Sequence, residues 1–91
     1  MQFEWSEAKR QSNLRKHGID FRDFAGIFAG ITKPVRDDRH SYGEERFLTL
    51  GLLDEHVVAV VHTETSNIIR VISIRKATKR EQAMFFEGLE N

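Results

Sequence analysis

The chain has no cysteine. That excludes a disulfide scaffold, a thiol nucleophile and a cysteine zinc site, and it fits a reducing compartment. It also lacks net charge, with 14 Lys+Arg against 14 Asp+Glu. A disordered polyelectrolyte and a histone-like basic protein are therefore both excluded. The longest apolar run, Val57-Val58-Ala59-Val60-Val61, is far too short to cross a bilayer. Met1-Gln2-Phe3-Glu4-Trp5 shows neither a basic n-region nor an apolar h-region, so no signal peptide is expected, and a cytoplasmic protein without membrane contact is. No repeat, low-complexity tract or linker divides the 91 residues, so residues 1–91 read as one small domain. A 40% hydrophobic fraction with seven Phe is enough for a small core.

The neutral total hides an asymmetry. Arg70, Arg75, Lys76, Lys79 and Arg80 follow one another without an acid, and Lys9, Arg10, Arg15 and Lys16 crowd the first helical segment. Acids collect elsewhere, at Asp37, Asp38, Glu44 and Glu45 and again at Asp54 and Glu55. A neutral chain can thus carry a basic face able to hold phosphates, although a set of solvated faces is the plainer alternative.

Phe3-Glu4-Trp5 reads as a short strand, and Ser6 as the N-cap of a helix that runs to His17 and stops at Gly18. Only Ala8 and Leu14 are clearly apolar in that helix, so its cations must face solvent or a ligand. Asp20 opens a second helix with Phe21, Phe24, Ala25 and Phe28 at core-facing spacing, ended by Gly30. Beyond Pro34 and Val35 lies an acidic segment containing His40. Three strands follow, over 46–53, 56–62 and 68–75, joined by a tight turn at Asp54-Glu55 and a slightly longer one over 63–67. Thr78-Lys79-Arg80-Glu81 fits a capping box and opens a last helix. The pattern predicts an α+β fold: an antiparallel sheet of about four strands, two N-terminal helices and one C-terminal helix.

No Gly-rich phosphate loop, nucleophile elbow or paired-histidine helix is present. What remains is a constellation. Arg70 interrupts an apolar strand, and Arg75 with Lys76 marks that strand's end. Strict alternation puts Arg70 and Arg75 on opposite faces, so a shared site needs a bulge or a bent strand end. His62 ends the central strand, while His17 sits before the helix-stopping Gly18, where a helix C-terminus could alternatively stabilise it as a cation. His40, Glu44 and Glu45, with His62, could in principle hold a metal, but their spacing matches no common ligand pattern.

Phe3-Glu4-Trp5, Lys9, Asn13-Leu14-Arg15-Lys16-His17-Gly18 and Phe21 resemble the opening pattern of the BrnT family. Gly43-Glu44-Glu45-Arg46, Gly51, Val60-Val61-His62-Thr63, the run from Arg70 to Thr78, and Glu81 continue the likeness in order. The resemblance implies a RelE-like fold and a ribonuclease toxin of a type II toxin–antitoxin pair. It also implies a small BrnA antitoxin partner, through whose complex alone operator DNA is bound. The pattern is departed from in two places: Ser6-Glu7 stands where Asp-Pro is usual, and Phe85 where relatives often carry Tyr.

RNA can be cut without metal or cofactor when its own 2′-hydroxyl attacks the adjacent phosphate, given a base, an acid and cations for the phosphate oxygens. On this reading Arg70 and Arg75 hold the scissile phosphate, and Lys9, Lys79 and Arg80 track its neighbours. His62 is the first candidate for proton transfer, followed by His17 and Glu45. The last helix carries more apolar side chains than one core stripe uses, so Phe85, Phe86 and Leu89 are expected at the antitoxin interface. Two alternatives stay open: a non-catalytic nucleic-acid-binding or regulatory module, and a metal-dependent hydrolase built on His40, Glu44, Glu45 and His62.

Overall fold

Ser6 caps the first helix, its side chain accepting from the Lys9 amide at 3.3 Å. This is seen in a computed structural model that describes residues 2–35 and 45–90. The helix, α1 (Glu7–His17), ends at Gly18, whose φ of 72° is left-handed and whose N–H reaches the Leu14 carbonyl. A helix with so little apolar surface needs another means of attachment, and Asn13 supplies it. Asn13 is the buried residue of α1. Its amide donates to the carbonyls of Ile19 at 3.0 Å and Ile74 at 2.9 Å, and its oxygen accepts from the Ile74 amide at 3.2 Å. Asn13→Leu keeps the branched shape but strands these backbone groups, and should destabilise the protein by about 2–4 kcal/mol in chemical denaturation.

Among the described residues five strands form one mixed sheet: β1 (Gln2–Glu4), β2 (Lys33–Val35), β3 (Phe47–Leu53), β4 (His56–Thr65) and β5 (Ile68–Lys76). Their order is β1-β5-β4-β3-β2. The meander β3-β4-β5 is antiparallel as expected, but the sheet exceeds the four antiparallel strands the pattern predicts, because β1 joins β5 in parallel. A three-residue segment shows no partner in its own sequence, so this pairing was not legible. β2 is an edge strand, which is why Pro34 is tolerated there. The second turn is also shorter than expected: Thr65 pairs with Ile68, leaving only Ser66-Asn67. Both hairpin turns, Asp54-Glu55 and Ser66-Asn67, place two successive residues at positive φ, the geometry that matches strand twist.

Helices cover both faces. On one, a 3₁₀ turn (Phe21–Asp23) runs into α2 (Phe24–Ala29), and Phe21, Phe24 and Ile27 are buried with Val58, Val60, Ile69, Val71 and Ile74. The apolar stripe therefore steps by three and leaves Ala25 exposed, because side chains three apart eclipse in a 3₁₀ turn. Gly51 lets α2 approach β3: a Cβ there would lie 2.6 Å from Cγ2 of Ile27. On the other face, α3 (Lys79–Glu90) buries Phe85 against Leu48, Leu50, Val57, Ala59 and Ala77. Phe85 is thus a core residue, which corrects its expected place at a partner interface; Phe86 and Leu89 remain 49% and 46% exposed. No described helix is long and apolar enough to cross a membrane.

Candidate nucleic-acid site

Lys9, Ser12, Asn13, Lys16 and His17 recur at helical spacing, so they share one side of α1. Asn13 pins that side against β5, where Ile72 and Ser73 close a cleft of about 200 Å³. The local cause lies in β5. His62 pairs with Val71 but Val61 with Ser73, so Ile72 is an extra residue that bulges the strand beside α1. Among the described residues none of the side chains lining this cleft is acidic. Two exposed ammonium groups with no carboxylate between them form a positive wall suited to phosphate oxygens. Arg10 takes no part, being held by Glu7 and by Asp20 at 2.9 Å. His17 is half-buried and borders a second groove of about 350 Å³, lined also by Asp54, His56 and Lys76.

The same bulge decides the fate of the arginines. It restores Arg70, Ser73 and Arg75 to one face, paired with Thr63, Val61 and Ala59 respectively. Sharing a face does not bring them into one clamp, because their partners Thr63 and Ala59 are four residue steps apart on β4, about 13 Å. Arg70 is half exposed and lies 3.5 Å from the Glu4 carboxylate. Arg75 is committed to Glu81 through two bonds of 2.7 and 3.0 Å. Glu81 in turn accepts from the Thr78 amide while the Thr78 hydroxyl accepts from the Glu81 amide, the reciprocal cap of α3. The Arg75 guanidinium holds the Glu81 carboxyl down at about 2. Arg75 is therefore placed as a strut between β5 and α3. Lys79 and Arg80 are exposed on the first turn of α3.

His62 lies elsewhere. It is 1% exposed, on the face covered by α2 and opposite Arg70, with Nε2 bonded to Thr49 Oγ1 at 2.8 Å. Its ring stacks on Phe47 at 5.8 Å and meets Phe28 edge-on at 5.3 Å. Burial pushes its pKa down to about 4, so it is neutral at physiological pH. A neutral imidazole enclosed by phenyl rings on that face is not placed to exchange protons with RNA held by Arg70. Glu45 is exposed just ahead of β3. His40 and Glu44 of the metal alternative lie outside the described residues, and no group of three metal-ligating side chains occurs among the described ones.

Lys9 and His17 are thus the expected site residues that the structure unites, while Arg70, Arg75, His62 and Glu45 stay apart. Sequence reasoning passed over Lys16 as a cleft residue, although its i+7 spacing from Lys9 was visible, and it passed over His56, whose position depends on hairpin register.

Fold and cleft together define a small α+β protein with two lysines and an imidazole lining one cleft. Its family is narrower than that class. Residues 5–81 match the family of the ribonuclease toxin BrnT of type II toxin–antitoxin systems, and the chain belongs to that family. It is thus a ribonuclease toxin of the type II class, with RNA as target and an antitoxin as partner. No curated protein matches it.

Proposed function

We propose that this toxin is a metal-independent endoribonuclease acting in the cytoplasm, where cleavage of RNA inhibits translation. The observation that carries the reading is the meeting of Lys9, Lys16 and His17 in one cleft beside the β5 bulge. The lysines hold phosphates of the RNA backbone. His17 exchanges a proton during attack of the 2′-hydroxyl on phosphorus, the transfer for which imidazole is suited near neutral pH. Lys79 and Arg80 contact phosphates further along the strand. The purified chain, free of partner, should cleave RNA in EDTA and leave 2′,3′-cyclic phosphate or 3′-phosphate ends. Loss of cleavage in EDTA with recovery on adding a divalent ion contradicts the reading.

A second reading places RNA away from α1, around Arg70 beside β1. There Arg70 would clamp the scissile phosphate, its planar fork making the exchange to Lys costly.

The partner is a BrnA-like antitoxin, and operator DNA is bound only through their complex. Phe86 and Leu89, exposed on α3, supply its apolar contact. Phe86→Glu should weaken toxin–antitoxin binding at least tenfold, about 1.4 kcal/mol, in calorimetric titration, with an unchanged thermal melt. Unchanged affinity removes Phe86 from the interface.

A further inference from the structure

Breaking an RNA strand by its own 2′-hydroxyl requires two proton transfers, on opposite sides of phosphorus. The 2′-oxygen must lose a proton as it bonds to phosphorus, and the departing 5′-oxygen must gain one as its bond to phosphorus breaks. A single imidazole in the cleft leaves one transfer unserved. The groove on the far side of His17 contains a second. His56 opens β4, held at its position by the two-residue turn through pairing of Leu53 with His56. Lys76 closes β5 and pairs with Val58, two residues along the same strand as His56. His17, His56, Lys76 and Asp54 all line this groove of about 350 Å³, a size that accepts a small organic ligand.

We infer that His17 and His56 form a two-imidazole centre for RNA transesterification, with Lys76 holding the phosphate oxygens between them. This rests on the cleft reading of the ribonuclease site and extends it to residues outside the cleft. One imidazole accepts the 2′-hydroxyl proton while the other, as imidazolium, gives its proton to the 5′-oxygen. The products are a 2′,3′-cyclic phosphate and a 5′-hydroxyl, and the two histidines regain their starting states by proton exchange with water. No oxidant, metal or further reactant is needed for balance.

The test compares His17→Ala and His56→Ala on two substrates. One is a mixed-sequence RNA oligonucleotide. The other is a set of nucleoside 3′-(4-nitrophenyl) phosphodiesters, whose phenolate leaves without a proton. Both substitutions should slow RNA cleavage by roughly 10²–10⁴-fold, and on the aryl esters one of the two should recover to within about tenfold of the parent. The variant that recovers has lost the acid. His56→Gln, which keeps a polar side chain but cannot relay a proton, should behave as His56→Ala, and melts should show all variants folded. His17-dependent cleavage that is indifferent to His56 overturns the two-imidazole centre alone. Equal losses on both substrates for both variants overturn it too, leaving binding roles. Cleavage indifferent to His17 overturns the cleft reading itself.

Discussion

His17→Ala is expected to abolish most of the toxin's activity, cutting the rate at saturating RNA by roughly 10²–10⁴-fold. The fold should survive, because His17 is half-buried at a helix end whose cap belongs to Gly18. Arg70→Lys is the informative companion. If RNA lies in the cleft, Arg70 is at most a distant phosphate contact. Its exchange should then alter binding and salt dependence slightly, and the rate at saturation hardly at all. If RNA lies around Arg70, the order reverses, since loss of an oxyanion-type contact costs about 10²–10³-fold. Single-turnover rates for the two variants, measured side by side, separate the readings.

Mild acid should destabilise the protein, through His62. Its folded-state pKa is about 4 against an ordinary 6.5. Between those values the unfolded chain binds a proton that the folded one refuses. Stability is therefore fully present above pH 6.5 and declines as the pH falls towards 4. From pH 6.5 to 5 the loss should reach about 2 kcal/mol, lowering Tm by roughly 10 °C. Glu81, held at about 2 against an ordinary 4.5, adds its own loss below pH 4.5, so the decline between pH 6.5 and 5 belongs to His62. His62→Leu should flatten the decline between pH 6.5 and 5. A slope of the same size in that variant shows that another group titrates there.

Much of the fold was legible because its signals are local. Ser6 and Gly18 bound α1, Thr78 and Glu81 cap α3, and the unbroken apolar run of β4 marks a strand covered on both faces. Parallel pairing of β1 with β5 was hidden, since contacts between residues so distant in sequence leave no periodic trace. The site was less legible for a similar reason. The one-residue bulge at Ile72 sets which face each β5 side chain takes, and alternation alone could state the need for it without placing it. Arg75 and Glu81 looked independent as a strand-end cation and a capping acid, yet they bind each other. His62 at a strand end looked accessible, and only the packing of Phe24, Phe28 and Phe47 around it shows otherwise. Phe85 and Phe86, adjacent in the chain, separate into core and surface by the turn of one helix.

Where the RNA is held decides the account, and backbone amide shifts on titration with an oligonucleotide made uncleavable by 2′-deoxy substitution report it directly. The expected perturbations run along α1 from Lys9 to Gly18 and across Ile72 and Ser73, and extend to His56 and Lys76. Perturbations confined to Glu4, Thr63 and Arg70, with α1 silent, would place the RNA around Arg70, away from α1, and contradict the assignment.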